Sequence, residues 1–270
     1  MSRYHASSSD LPMPPRAAAG MPPIRRIGTD AVWRALSLGW QDFMASPTQL
    51  VFLAIIYPII GIVAATAAAG REMMPIIWPL LSGFALVGPV AAIGVYELSR
   101  RREAGLPVSW VNAFDVLRSP SIFSILVLGA MLLAIFVAWL FTARAIFEAS
   151  FAGMPLATDV WGFLSQVFGT GQGWRLILLG NLAGLLFAVA VLALTVISFP
   201  LLLDRPVGAA AAVRASIAAV AANPGPMLLW GLMVALILAV SCIPLFVGLA
   251  VAVPVLGHAT WHLYRAVMPR

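Results

Sequence analysis

The chain has 270 residues, of which 62% are hydrophobic and only 10% are charged. A soluble domain carries about 25% charged residues, so this composition excludes a soluble globular protein and indicates a membrane protein. The net charge is +6, and because the sequence contains no lysine, all 16 basic residues are arginines. They cluster at the ends of apolar segments, which favours a role in membrane orientation over nucleic-acid binding.

The apolar runs are long and do not alternate with polar residues, which predicts membrane helices rather than a β-barrel. Residues 1–28 are predicted to be a disordered N-terminal tail, rich in Ser, Pro and Ala, in which His5 is solvated. The tail contains no apolar segment of the signal-peptide type, so we expect the first membrane helix to direct insertion. Residues 29–270 are then the integral membrane domain.

An amphipathic helix is predicted after Thr29 and Asp30. Its apolar face carries two tryptophans, and Asp42 falls on another face. Such a helix can lie in the membrane interface or pack on its own protein, and the sequence leaves both readings open. Membrane helices are predicted next over residues 50–69 and 75–98, followed by three consecutive arginines. The apolar face of the amphipathic helix that follows Asp30 consists of Trp33, Leu36, Trp40 and Phe43.

A second amphipathic segment is predicted over residues 107–119, followed by a membrane helix over 122–142. Residues 143–173 are predicted to be an aromatic loop resting on the membrane surface. In this loop Arg144 and Glu148 are spaced to pair on an extension of the helix. The loop is expected to end in a flexible turn formed by Gly169, Gly171 and Gly173.

The fourth membrane helix is predicted over residues 176–203. Gly180 and Gly184 have the GxxxG spacing that permits close helix approach, and Asn181 is expected to hydrogen-bond to another helix. An Ala-rich segment over residues 207–223 follows.

The stretch from Pro224 to Arg265 is about twice the ~20 apolar residues that one membrane crossing requires. The sequence Ser241-Cys242-Ile243-Pro244 lies near its middle, where a tight turn is expected. This stretch therefore predicts a transmembrane hairpin. Because Cys242 is the only cysteine, an intramolecular disulfide is excluded.

Three similar units can be aligned, over residues 29–102, 107–205 and 207–265. In each unit a small polar residue and a proline follow the amphipathic segment, and the second helix ends in a similar exit sequence. The pattern predicts an all-α bundle of six transmembrane helices, built as three repeats of an amphipathic helix and a hairpin. The exit sequences are Leu98-Ser99-Arg100, Leu203-Asp204-Arg205 and Leu263-Tyr264-Arg265.

With the N-terminus inside, thirteen arginines fall on the cytoplasmic side and three outside, namely Arg71, Arg144 and Arg175. This distribution satisfies the positive-inside rule. Both termini are therefore predicted to be cytoplasmic.

His258 and His262 are the only histidines in the membrane body, and their i,i+4 spacing places them on one helix face. This spacing suits one metal ion if other residues supply further ligands, but it cannot supply both axial ligands of one haem. The alternative is that His262 lies at the cytoplasmic interface while His258 hydrogen-bonds within the bundle. Glu97 is expected to pair with Arg100. We predict no catalytic residue, no metal site and no cofactor, and the two histidines are the candidates if a cofactor binds.

The C-terminal hairpin resembles an uncharacterised bacterial family of predicted integral membrane proteins, domain of unknown function 2189. The resemblance covers residues 24–265, and some members are labelled putative cytochrome c oxidase subunit I. Two membrane histidines cannot build an oxidase core, so that label is not carried over. The resemblance implies a location in the bacterial inner membrane. The segments that carry it begin at Asn223-Pro224-Gly225-Pro226, at Pro244-Leu245-Phe246 and at Pro254-Val255-Leu256-Gly257-His258.

The leading hypothesis is a non-enzymatic scaffold or accessory membrane factor, because no catalytic set or nucleotide loop occurs in the sequence. A small-solute transporter or channel, and a haem- or metal-binding accessory protein of a respiratory oxidase, are the alternatives. The expected partners are the lipid bilayer and other membrane proteins, with no nucleic acid; the sequence does not give the oligomeric state.

Overall fold

The computed structural model describes residues 23–45, 74–157, 159–244 and 246–270. His5 and the helix predicted over residues 50–69 lie outside these ranges. Within them the chain is helical and contains no strand. A 3₁₀ helix spans Trp110–Arg118. The α-helices are α1 (Thr29–Ala45), α2 (Met74–Ala91), α3 (Ile93–Glu103), α4 (Ile122–Ser150), α5 (Val160–Gly169), α6 (Gly171–Thr195), α7 (Ser198–Asp204), α8 (Ala209–Ala222), α9 (Pro224–Cys242) and α10 (Leu249–Val267).

Three candidate membrane spans occur in the described part of the chain: α4, α6 together with α7, and α9. They are long and apolar enough to cross a bilayer, which agrees with the predicted all-α membrane bundle. The predicted number of six is not confirmed. Helix α10 is not among the three, because two histidines and Arg265 make its C-terminal half polar.

Two predicted helices are each divided into two. The helix predicted over residues 75–98 breaks at Ala92, between α2 and α3, and the helix predicted over 176–203 breaks between α6 and α7. A proline lies next to each break, Pro89 in α2 and Pro200 in α7. Proline lacks the N–H for the i−4 carbonyl and its ring clashes with that carbonyl, which accounts for the second interruption, since Val196 lies four residues before Pro200.

The prediction of an aromatic loop over residues 143–173 is wrong, because most of this range is helical. Helix α4 continues to Ser150, and the predicted pair of Arg144 and Glu148 lies on this extension at 2.7 Å. Helix α5 follows, capped by the Asp159 carboxylate, which accepts the backbone N–H of Gly162. The Thr170 hydroxyl accepts the N–H of Gly173 and so caps α6. Of the predicted flexible glycine turn, Gly169 therefore ends α5, and Gly171 and Gly173 lie in the first turn of α6.

Helix α1 packs mainly against α10, and Gly39 is the point of closest approach. A Cβ atom at Gly39 would lie 2.5 Å from the backbone nitrogen of Ala259 and 2.7 Å from the carbonyl oxygen of Val255. Of the two readings left open for α1, packing on its own protein is thus observed. The indole rings of Trp33 and Trp40 nevertheless remain exposed on its outer side.

Asn223 fixes the segment before α1 to the rest of the bundle. Its side-chain oxygen accepts the N–H of Ile27 at 2.7 Å, and its side-chain nitrogen donates to the carbonyl of Arg25. The N–H of Arg25 in turn donates to the carbonyl of Val267 at the end of α10. The start of α1 therefore lies where α8 ends, α9 begins and α10 ends.

Candidate functional site

Five polar side chains from three helices meet where α1, α3 and α10 pack together. We call them the polar cluster: Asp42 of α1, Ser99 and Arg102 of α3, and His258 and His262 of α10. The residue His258 is 1% exposed and Asp42 is 7% exposed. The four-residue spacing on α10 places both imidazoles on one face, and the close approach at Gly39 brings α1 within reach of them.

The hydrogen bonds of the polar cluster determine which nitrogen of His258 carries a proton. The Ser99 hydroxyl donates its single proton to Asp42 Oδ2 at 3.0 Å, because a carboxylate only accepts. The 2.7 Å contact between Ser99 Oγ and His258 Nδ1 must then be donated by the histidine. A neutral His258 therefore carries its proton on Nδ1 and has an unshared lone pair on Nε2.

Asp42 also accepts a hydrogen bond from His262 Nε2 at 2.8 Å, and its other oxygen lies 3.1 Å from Arg102 Nε. Burial raises the pKa of Asp42, but the hydrogen bond and charge of His262 and the charge of His258 lower it, and the net result is below its ordinary value of 3.8. Asp42 is therefore ionised at neutral pH and forms the centre of the cluster.

The Nε2 atoms of the two histidines have different surroundings. His262 uses Nε2 to hold Asp42, whereas His258 Nε2 is buried and has no hydrogen-bond partner among the described residues. The two Nε2 atoms therefore do not point to one shared ligand. No group of three His, Cys, Asp or Glu side chains in the described ranges has a spacing that would hold a metal ion. The Asp42–Ser99–His258 arrangement does, however, resemble the way a metal-binding histidine is oriented through its other nitrogen.

A second group of charges, which we call the exit ion pairs, joins α3, α7 and α10. The Arg265 guanidinium makes two hydrogen bonds to the Asp204 carboxylate, at 2.6 and 2.8 Å, and a third to Glu103 at 2.9 Å. The Tyr264 hydroxyl donates to Asp204, and the Trp261 indole N–H donates to Glu103. Bidentate arginine–carboxylate pairs of this kind are geometrically specific.

The exit ion pairs lie at or near the three exit sequences: Asp204 and Arg265 belong to two of them, and Glu103 lies three residues after the first. Asp204 closes α7, Arg265 lies in the last turn of α10, and Arg100 of α3 binds Glu97 at 2.7 Å. The second helices of all three predicted units thus end at one place in the bundle.

The sequence predicted only part of these contacts. The pairing of Glu97 with Arg100 and the internal hydrogen bond of His258 are both observed. The interhelical role expected for Asn181 is wrong, because its side chain is exposed and donates to the carbonyl of Ile177 in its own helix. Asp42, the centre of the polar cluster, was missed. The need of a buried histidine for a polar partner was the only signal that could have indicated it.

An apolar groove of about 640 Å³ lies beside the cluster, between α1, α9 and α10. Two serines, Ser37 and Ser241, are the polar side chains along it, and the remaining lining is apolar. It is therefore suited to apolar chains rather than to polar solutes. The apolar lining includes Trp33, Leu36, Trp40, Ile237, Val251 and Val255.

A comparison with known protein families gives a match to one family model. A family model described as predicted integral membrane protein, domain of unknown function 2189, matches residues 77–204. The matched part is just under half of the chain and includes two of the candidate spans, α4 and α6 with α7. The C-terminal hairpin lies outside it. Neither the curated proteins nor the solved structures give a match. Residues 77–204 are thus similar to the family of predicted integral membrane proteins with domain of unknown function 2189.

Proposed function

We propose that the protein is a non-enzymatic accessory or scaffold protein of the bacterial inner membrane. The observation that supports this proposal is the exit ion pairs, in which Arg265 binds both Asp204 and Glu103 and so joins three helices. Charges used in this way hold helix ends together and are not free for proton transfer or substrate binding. Six transmembrane helices in three units, with both termini cytoplasmic, remain our proposal for the topology, and the meeting of the three exit sequences supports it.

A scaffold must present a surface to its partners, and the short helix α5 is the surface we propose. Its Trp161 and Phe168 side chains are largely exposed. Exposed aromatic residues are common among those that carry protein–protein binding energy.

Site-specific photo-crosslinking in intact membranes tests this role. A photo-reactive amino acid replaces Trp161 or Phe168 and, as the matched control, Leu178, an equally exposed residue of the candidate span α6. We expect a discrete protein adduct from the two α5 positions and none from position 178. The absence of an adduct at both α5 positions, or the same adduct at all three, would argue against a partner-binding scaffold.

A second candidate function is a haem- or metal-binding accessory protein, and the unshared Nε2 of His258 is the observation that favours it. The purified protein would be tested by a reduced-minus-oxidised absorbance spectrum and a metal assay. A stoichiometric signal that is lost in His258→Ala but kept in His262→Ala would establish this function. A spectrum without haem bands, together with no bound metal, would rule out this second function. Transport of a polar solute, the remaining alternative, gains no support from the apolar groove beside α1.

A further inference from the structure

The 3₁₀ helix Trp110–Arg118 exposes large apolar side chains in a row. Trp110 is 54% exposed, Phe114 is 56% exposed and Leu117 is 67% exposed. A 3₁₀ helix repeats about every three residues, so Phe114 and Leu117 share one face. The Trp110 ring lies beside them, edge-on to Phe114 with the ring centroids 6.4 Å apart. We call these three side chains the apolar face of the 3₁₀ helix.

Two polar side chains of the same helix, Asn112 and Asp115, are half-buried and bind the protein. Asn112 donates to the Asp115 carboxylate at 2.9 Å, and Asp115 accepts from Arg101 of α3 at 3.0 Å. The side-chain oxygen of Asn112 also accepts the N–H of Ser109 at the start of the helix. Val116 is the buried side chain of this helix, yet large aromatic and aliphatic side chains also face outward, which is unusual for a helix that borders water. This arrangement suits a medium that accepts apolar side chains.

The apolar face is continuous with a surface that borders lipid. Only three residues separate Arg118 from Ile122, where the candidate span α4 begins. The first turns of α4 expose Phe123 and Leu126, which are side chains of a membrane-facing surface. The four steps from Arg118 to Ile122 reach at most about 14 Å, so the end of the 3₁₀ helix lies near the level where this span enters the membrane.

Arg118 completes the pattern at the end of the helix. Its side chain is 89% exposed, and its contact with Asp115 is long, at 3.9 Å. An arginine in this position can reach the phosphate of a lipid headgroup, while neighbouring aromatic rings occupy the boundary between headgroups and acyl chains.

We propose that the 3₁₀ helix is a membrane-surface anchor, in which Trp110, Phe114 and Leu117 insert into the phospholipid bilayer and Arg118 binds lipid phosphate. The anchor fixes the connection between α3 and α4 to the membrane surface through side chains rather than through a further span. This inference concerns the lipid contacts of one segment and does not depend on the scaffold role.

Spin-label accessibility measures the proposed depth directly. In a Cys242→Ser background, single cysteines replace Phe114 or Leu117, and Asn112→Cys is the matched control from the inward face. The full-length protein is placed in vesicles of phosphatidylcholine and phosphatidylglycerol. We expect labels at 114 and 117 to collide with oxygen, which concentrates in lipid, and to be shielded from a water-soluble nickel chelate. The label at 112 is expected to collide little with oxygen.

Two results would overturn the proposal. Ready access of the nickel chelate to positions 114 and 117 would place the apolar face in water. Immobile labels shielded from both reagents would mean that another protein covers it. Thermal unfolding of each variant, followed by tryptophan fluorescence, verifies that the labelled proteins remain folded.

Discussion

Replacement of Gly39 by alanine tests the packing of α1 on α10 most sharply. The new Cβ would lie 2.5 Å from the backbone nitrogen of Ala259, whereas ordinary contacts begin at 3.4 Å. The two helices must therefore separate by about 0.9 Å (3.4 − 2.5 Å), since neither neighbouring backbone atom can rotate away. Overpacking of this kind costs typically 1–3 kcal/mol.

The separation would also lengthen the 2.8 Å hydrogen bond between Asp42 and His262. We therefore expect Gly39→Ala to lower the thermal midpoint in detergent by several degrees, at roughly 2–4 °C per kcal/mol. The matched control is Gly180→Ala in α6, where no atom lies within 4 Å of the new methyl group. It should be neutral or stabilising, because alanine favours helices by ~0.5–1 kcal/mol. Equal midpoints for the two variants would refute this description of the interface.

Two further predictions concern the polar cluster. The folded protein holds the pKa of Asp42 below 3.8, so the ionised carboxylate contributes stability above about this pH that is lost as the pH falls through the lowered value. The free energy of unfolding should therefore fall between pH 6 and pH 3, and this fall should be smaller in Asp42→Asn. The same dependence on pH in both proteins would contradict a lowered pKa of Asp42. In ¹⁵N NMR spectra at neutral pH, His258 should be protonated on Nδ1, and Ser99→Ala should remove this preference; a proton on Nε2 in the unaltered protein would disprove the inferred hydrogen-bond directions.

The sequence predicted the helices because composition and long apolar runs determine whether a segment can satisfy its backbone in lipid. The ends of the helices were predicted less well from the sequence. Asp159 and Thr170 are typical capping residues, but the aromatic and glycine content of residues 143–173 favours a loop, and the two signals conflict.

The polar cluster could be predicted only in part, since its geometry depends on which helices cross. The spacing of His258 and His262 placed them on one face, but periodicity along α1 alone placed Asp42 away from the core. Contact between α1 and α10 is made possible by Gly39, and nothing in the local sequence indicates which of the glycines lies at a helix crossing. The GxxxG pair was only half a guide: a Cβ at Gly184 would lie 3.4 Å from the Trp139 ring of α4, whereas a Cβ at Gly180 would meet nothing within 4 Å.

The exit ion pairs support the scaffold proposal, and a double-mutant cycle on Asp204 and Arg265 tests them most directly. Asp204→Asn, Arg265→Gln and the double variant would be compared with the unaltered protein by chemical unfolding in the same detergent. Their side chains are only 15% and 14% exposed, so removal of either partner leaves a largely buried charge and should cost about 3 kcal/mol. The structure predicts that the double variant is less destabilised than the sum of the two single variants, with a coupling above about 1 kcal/mol. Additive losses would show that the pair does not hold α7 to α10 and would contradict the proposed role of these charges.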